Sequence, residues 1–272
     1  MGSKVMRAII KLSAFVTIGT LVLIILYLAF RGIPNLTPEL FKWEYNSDNV
    51  SMMRSIVSTF IVVILSLLIA TPIGVFTGFY LVEYAKKGSK VVDVIRLATE
   101  TLAGIPSIIY GLFGMLFFSI TLHLGFSILS GVFTLSIMVL PLIIRSTEEA
   151  LIAVDDSLRH GSFALGAGKL RTIFRVVLPV AVPGILSGII LAIGRSVGET
   201  AALIFTLGTA TDAPKSLLGS SRTLALHMYM LSTEGLYVDQ AFATGFVLIL
   251  VTLIINGIST FISHKFVEGE EA

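Results

Sequence analysis

The chain has 272 residues, of which 55% are apolar and only 13% are charged, and its mean hydropathy is +0.96. This composition excludes an ordinary soluble domain, in which about 25% of residues are charged, and indicates an integral membrane protein. A formal net charge of +2 is too small to indicate nucleic-acid binding, and the absence of cysteine excludes disulfides, thiolate metal sites and a cysteine nucleophile.

Six apolar stretches are long enough to cross about 30 Å of hydrocarbon, which takes roughly 20 helical residues. In chain order they are residues 8–30, 56–82, 102–122, 126–144, 183–207 and 241–262. The first begins like a secretory signal, but no small-residue cleavage site follows it, so we expect it to be retained. Pro106 interrupts the third stretch and predicts either a kink or freed backbone groups that line a cavity. The sequence therefore predicts an all-α integral membrane protein with six transmembrane helices.

The distribution of basic residues predicts the orientation of these spans, because cytoplasmic segments are enriched in Lys and Arg. With the N-terminus inside, 13 of the 19 Lys and Arg lie in cytoplasmic segments, 5 lie outside and Arg195 lies within a span. We therefore expect a multi-pass protein of the plasma (inner) membrane, embedded in the lipid bilayer. Both termini are expected to be cytoplasmic, with residues 263–272 as a tail.

The longest inner segment, residues 145–182, has a helical pattern of its own. Asp155 or Asp156 can cap a helix, and Gly166 can end it before a second helix that runs from residue 169 into Pro179. Periodicity alone also fits an amphipathic hairpin that lies on the membrane surface.

The string LGAGKL within this segment suggests a phosphate-binding loop at first sight. That motif requires a Gly and a Ser or Thr where this chain has Phe163 and Leu170. We therefore do not expect the chain to bind ATP itself.

The fifth predicted span carries two charges, Arg195 and Glu199. On a continuous helix they would share a stripe with Gly184 and Gly188, and Glu199 would supply the counter-charge to Arg195. Arg195 stands twelve residues from each end of residues 183–207, so we expect it near mid-bilayer, where a charge costs about 2.5 to 3.5 kcal/mol. An ion pair that locks helices together and a functional site are the two interpretations.

A functional site at this position would suit an oxyanion. Arginine offers a planar fork of N–H donors, and the hydroxyls of Ser196 and Thr200 can add to it. Glu199 would orient Arg195 and repel anions when the site is empty. The expected substrate path therefore consists of Arg195, Ser196, Glu199 and Thr200. No metal site is predicted from the scattered histidines, and no cofactor is expected.

The inner segment and three further strings resemble the permease subunits of ABC importers. Gly166 is followed by nine residues and then by VVLP, which is the spacing of the EAA loop in that family. The strings LAGIPSIIYGLFG, RSVGETAALIFT and LHMYMLSTEG are similar to the PstA-type permeases of phosphate importers, over residues 51–261. Two departures are HGS at residues 160–162, in place of Glu-Ala-Ala, and Ala202, where similar sequences often have proline.

The resemblance implies a type I importer permease (MetI-like) bundle with a cytoplasmic coupling helix. The permease domain would cover residues 51–262, after an N-terminal helix and the first part of the outer loop in residues 1–50. The implied partners are an ATP-binding subunit in two copies, a second homologous permease and an extracytoplasmic phosphate-binding protein. The residues expected to couple to the ATP-binding subunit are Arg159, Ser162, Ala164, Leu165 and Gly166.

The function that the resemblance implies is translocation of inorganic phosphate by alternating access, with ATP hydrolysed in a partner rather than in this chain. A permease for another oxyanion such as sulfate or molybdate is one alternative. A non-transporting membrane scaffold, which would fail to recruit an ATPase, is another. An intramembrane enzyme is disfavoured, because the sequence has no pair of catalytic carboxylates, no Ser/His dyad and no H-E-x-x-H motif.

Overall fold

A computed structural model describes residues 2–268 apart from residues 87 and 215, so the last four residues of the predicted tail lie outside the described residues. The described part of the chain is helical and contains no strand. Its ten α-helices are α1 (Gly2–Gly32), α2 (Met53–Phe79), α3 (Lys90–Ala103), α4 (Ser107–Gly114), α5 (Ile128–Ile152), α6 (Asp156–Ala164), α7 (Lys169–Thr172), α8 (Leu178–Val197), α9 (Leu224–Glu234) and α10 (Val238–Glu268).

Three of these helices continue without a break into wide turns of π-helix. The turns follow α2 at Tyr80–Tyr84, follow α4 at Met115–Thr121 and join α7 to α8 at Ile173–Val177. Among the described residues five helices are long and apolar enough to cross a membrane, and the bent pair α3 and α4 makes a sixth span. The predicted all-helical class is confirmed, and a helical segment is present at each of the six predicted spans.

Helices α2 and α5 run parallel at the centre of the fold and approach closely through small residues. A Cβ atom added to Gly74 would come within 2.7 Å of Ile143, and one added to Gly78 within 2.6 Å of Thr147. The hydroxyl of Ser136 donates to the backbone carbonyl of Ser66 across the interface, at 3.1 Å. Close backbone approach of this kind replaces the hydrophobic driving force that is missing between helices in lipid.

Helix α8 packs on another face of α5 and runs in the opposite direction. A Cβ atom on Gly184 would lie 2.6 Å from the Cβ of Ala150, and one on Gly188 would collide with the side chain of Ser146. The two predicted glycines are therefore contact points between helices.

The third span is broken at residues 104–106, and the break is sharper than a kink. Helices α3 and α4 meet at 104°, because Pro106 has no N–H to donate and disfavours helical backbone at the residue before it. The phenol of Tyr110 donates to the carbonyl of Leu102 at 2.8 Å and so bridges the corner.

The predicted bounds of the fifth span are wrong at both ends. The helix begins at Lys169, passes through Pro179 and Pro183 and ends at Val197. Proline has no backbone N–H to donate, so Pro179 would leave a gap in the regular hydrogen bonds of the helix. The wide π-helical turn just before it changes the hydrogen-bond spacing at this point, and the helix continues. Beyond Val197 the chain turns and forms a short 3₁₀ segment at Leu203–Phe205, instead of continuing helically to residue 207.

Helix α1 stands apart from this core, and its side chains from residue 5 to residue 27 are exposed. It contacts α10 near its C-terminal end, where the rings of Tyr27 and Phe242 meet edge-on at 5.7 Å and Arg31 lies 3.4 Å from Asp239. Helix α9, which was not predicted, covers the end of the core at which α2 begins. Its first N–H, at Leu224, donates to the hydroxyl of Thr59 at 2.8 Å.

We expect Gly188→Ala to destabilise the protein by about 1 to 3 kcal/mol, because the added methyl collides with Ser146 in a packed interface. Thermal unfolding of the detergent-solubilised chain measures the effect. Gly19→Ala on the exposed helix α1 is the matched control, since no atom lies within 4 Å of the added methyl. Equal melting temperatures for the two variants would contradict the close packing of α5 and α8.

Candidate functional site

Helix α8 ends deep within the bundle. Gly184 lies opposite Ala150 and Gly188 opposite Ser146. The same antiparallel register, continued for two turns, puts Arg195 level with the middle of α5 (Ile128–Ile152). The helix therefore stops two residues after a charged side chain at about half the depth of the bundle.

Arg195 lies on the exposed side of α8, in line with Ser187 and Leu191. It takes part in none of the ion pairs found among the described residues. Gly184, Gly188 and Arg195 lie on one stripe of the continuous helix α8, as predicted, but Gly188 is buried against α5 while Arg195, two turns further on, is exposed. Arg195 is thus a cation that the rest of the described chain leaves uncovered.

Glu199 does not supply the predicted counter-charge. The helix ends at Val197, so the spacing of four residues no longer brings the two side chains together on one face. The Glu199 side chain is buried instead, and its Oε1 accepts the backbone N–H of Ala202 at 3.0 Å. This carboxylate orders the turn that follows the helix end.

The two predicted hydroxyls bond to nearby backbone. Ser196 is fully buried, and its hydroxyl donates to the carbonyl of Ala192 at 2.7 Å. Thr200 is half-buried, and its hydroxyl lies 3.4 Å from the carbonyl of Gly198. Of the four residues predicted for a substrate path, Arg195 is the most exposed, Thr200 is partly accessible, and Ser196 and Glu199 are buried.

Two interrupted spans meet beside Arg195. A Cβ atom on Gly111 of α4 would lie 2.8 Å from the Cα of Ala202, so α4 packs directly on the turn after α8. Tyr110, next to Gly111 in α4, is buried and donates to the carbonyl of Leu102. Tyr110 was not predicted as a site residue. A tyrosine four residues after Pro106 could have indicated it, because its hydroxyl can bond to a backbone carbonyl that the proline break leaves without a donor.

The second cluster of predicted site residues lies at the inner end of the bundle, in the hairpin formed by α6 and α7. Asp155 caps α6 by accepting the N–H of Ser157 at 2.7 Å, and this bond holds the pKa of the Asp155 carboxyl below its usual range. Gly166 ends the helical turn with φ at +82° and donates to the carbonyl of Phe163 at 2.9 Å. The predicted cap and glycine stop are confirmed.

Two predicted coupling residues face the chain rather than an open surface. The hydroxyls of Ser162 and Thr172 lie 2.8 Å apart and close the hairpin. Arg159 extends back toward the ends of α2 and α5. Its guanidinium donates to Glu83 Oε1 at 2.9 and 3.0 Å, and to the carbonyls of Leu151 and Val154 at 2.8 and 2.7 Å.

The other three predicted coupling residues, Ala164, Leu165 and Gly166, form an exposed tip, at which Leu165 is 91% exposed. The apolar side chains around this tip are also exposed, namely Leu158, Phe163 and Leu170. The hairpin therefore presents an apolar end, while Arg159 and Ser162 face the chain.

No group of three or more His, Cys, Asp or Glu side chains that could hold a metal ion is found within the described part of the chain.

We expect Glu199→Leu to lower the free energy of unfolding by about 1 to 3 kcal/mol, because the buried N–H of Ala202 would lose its acceptor. Glu199→Gln keeps an acceptor oxygen at the same place and should cost less. Thermal unfolding of both purified variants distinguishes a requirement for the hydrogen bond from a requirement for the charge. Equal destabilisation by Leu and Gln would mean that the charge is what the turn needs.

Comparisons with known proteins agree with this architecture. The sequence profile of the family described as binding-protein-dependent transport system inner membrane component matches residues 70–268. The probable ABC transporter permease protein YqgI of Bacillus subtilis is 31% identical over 271 residues, covering 93% of this chain and 92% of YqgI. The phosphate transport system permease protein PstA of Haemophilus influenzae is 34% identical over 207 residues, covering 75% and 72%.

Solved structures support the same fold. A chain of the bacterial alginate ABC transporter aligns with a TM-score of 0.68 at 17% identity, over 94% of this chain and 95% of that one. A chain of the inward-facing MetNI methionine ABC transporter aligns with a TM-score of 0.63 at 19% identity, over 79% and 94%. Since the family profile covers well over half of the sequence, the chain belongs to the family of binding-protein-dependent transport system inner membrane components.

Proposed function

We propose that this chain is a membrane subunit of an ATP-driven importer, and that it moves inorganic phosphate across the plasma membrane by alternating access. The observation that carries the proposal is Arg195, a cation exposed at half the depth of the bundle with no carboxylate partner among the described residues. The relatives named as phosphate transport permeases support phosphate as the anion.

Lipid is an unfavourable neighbour for Arg195. A charged side chain at the bilayer centre costs about 2.5 to 3.5 kcal/mol on insertion scales, so it is found facing protein or a water-filled cavity. The exposed side of α8 that carries Arg195 is therefore the face on which a second, homologous permease chain packs. The substrate path runs between the two chains, with Thr200 at its edge.

The chemistry of arginine fits a phosphate better than it fits a cation or an uncharged solute. Its guanidinium presents a rigid fork of donors that matches two oxygens of a tetrahedral anion. The same fork fits sulfate or molybdate, so competition by these anions during phosphate uptake tests the selectivity. Ser196 and Glu199 would support the path from behind by ordering the end of α8 and the turn that follows.

The inner hairpin is the proposed docking element for an ATP-binding subunit, with two such subunits in the complex. Its tip, Ala164 to Gly166, is exposed and apolar, as expected for an end that inserts into a cleft of a partner. This arrangement requires the hairpin and both chain termini to be cytoplasmic, and the opposite side to receive an extracytoplasmic phosphate-binding protein. ATP is then hydrolysed in the partner and not in this chain.

We expect Arg195→Gln to reduce phosphate uptake at least about thirtyfold, because loss of a charged partner for a desolvated ion costs about 2 kcal/mol or more. Arg195→Lys should be impaired as well, since a point charge cannot replace the fork. Radiolabelled phosphate uptake, normalised to assembled complex in the membrane, is the measurement. Normal uptake by assembled Arg195→Gln would rule out the transport role, and loss of assembly would favour a purely structural role.

We expect Gly166→Val to separate ATP hydrolysis from transport while membrane insertion is retained. A β-branched residue at φ +82° is strongly disfavoured, so the tip should lose its shape. The readouts are ATPase activity and phosphate uptake of the purified complex. Gly161→Ala is the matched control, because Gly161 lies in α6 with no atom within 4 Å of an added methyl. Full coupling in Gly166→Val would mean that the tip does not dock.

A further inference from the structure

The inner hairpin is continuous in sequence with two of the three central helices, and α2 is the exception. A short link joins α5 to α6, and α7 runs through a wide turn directly into α8. Any displacement of the hairpin therefore reaches α5 and α8 through the chain itself. It reaches α2 through packing and hydrogen bonds, because the chain does not join the hairpin to α2 directly.

Phe79 at the inner end of α2 shares an apolar cluster with Val154 and Ile173, which flank the hairpin. Two further contacts join the hairpin to the turn after α2, and we call their four residues the inner joint: Arg159, Glu83, Lys169 and Tyr84. Arg159 donates from two nitrogens to Glu83 Oε1, at 2.9 and 3.0 Å, and the two side chains are only 13% and 10% exposed. The Lys169 ammonium lies 4.8 Å from the centre of the Tyr84 ring. Both partners on α2 belong to the wide turn Tyr80–Tyr84.

The other end of α2 contacts the outer segment of the protein. The hydroxyls of Ser58 and Ser221 lie 2.6 Å apart, and Thr59 accepts the N–H of Leu224 at 2.8 Å. One turn earlier, Arg54 donates to the carbonyl of Thr211 at 3.3 Å. Helix α2 is thus fastened to the hairpin on one side of the membrane and to residues 211–224 on the other.

We infer that the inner joint allows α2 to transmit movement of the hairpin to the outer side of the permease. Arg159 and Glu83 are then positioning residues for the coupling of ATP hydrolysis to transport. The inference rests on the proposed function, in which an ATP-binding subunit moves the hairpin. A buried ion pair suits this task, because it is weakly screened and costly to break by removal of one partner.

Removal of Glu83 should weaken the inner joint without unfolding the hairpin. Arg159 keeps three acceptors in and beside the hairpin, which are the carbonyls of Leu151 and Val154 and the Asp156 carboxylate. Ser162 and Thr172 still close the hairpin. A Glu83 variant therefore retains the exposed tip for docking and loses the ion pair of the inner joint.

The first experiment measures the number of ATP molecules hydrolysed per phosphate taken up, in the complete complex reconstituted in liposomes. We expect Glu83→Ala to raise this number at least about tenfold, because the charge pair it breaks is desolvated. Glu83→Gln, which keeps an acceptor oxygen, should give an intermediate value. The matched control is Glu149→Ala, which removes an exposed pair with Arg145 (61% and 66% exposed) on the same side of the membrane and should leave the number unchanged.

A normal ratio of ATP to phosphate in assembled Glu83→Ala would overturn the inference. A fall in hydrolysis and uptake in equal proportion would overturn it too, because that result indicates a role in docking or folding only.

The second experiment uses this chain alone and needs no partner. The sequence has no cysteine, so spin labels on Phe76→Cys in α2 and Leu165→Cys at the hairpin tip report one distance. We expect Glu83→Ala to broaden the distance distribution, with Glu149→Ala again as the control. An unchanged distribution would overturn the inner joint. If the unmodified complex takes up no phosphate but Glu83→Ala still broadens the distance distribution, the proposed function is wrong and the inner joint is supported.

Discussion

A bilayer core offers no hydrogen bonds, so every interruption of a transmembrane helix must be covered by protein or by enclosed water. The described part of the chain has two such interruptions, one between α3 and α4 and one after Val197, and they pack against each other. Gly111 permits the close approach, and Tyr110 spans the corner with its hydroxyl. This packing explains the position of Arg195. Helix α8 can end two residues after Arg195 because the broken span of α3 and α4 covers the turn that follows.

The same constraint explains the use of glycine and serine in the core. Helices that are as apolar as the lipid around them gain little from burial, so they associate by close backbone contact and by hydrogen bonds from hydroxyls to carbonyls. Gly74 and Gly78 supply the first on one face of α5, while Ser66 and Ser136 supply the second. The result is a closely packed three-helix centre of α2, α5 and α8.

Hydropathy was sufficient to predict that the spans exist, because each must place about 20 apolar residues in the membrane whatever its neighbours are. The cap at Asp155 and the stop at Gly166 were also predictable, since both are local backbone effects. The end of α8 was not, because a hydrogen bond from Ala202 to the Glu199 side chain competes with the helix there. The inward direction of Arg159 depends on Glu83, 76 residues earlier in the chain, and no local pattern contains that information.

The isolated position of α1 has a consequence for biosynthesis. Its contact with the rest of the described fold, through Arg31 and Asp239, joins residues 208 positions apart. At 5 to 20 residues per second, the first helix enters the membrane roughly 10 to 40 s before its partner is made. During that interval α1 must be a self-sufficient span, and the exposed apolar side chains between residues 5 and 27 suit it to remain in lipid without a partner.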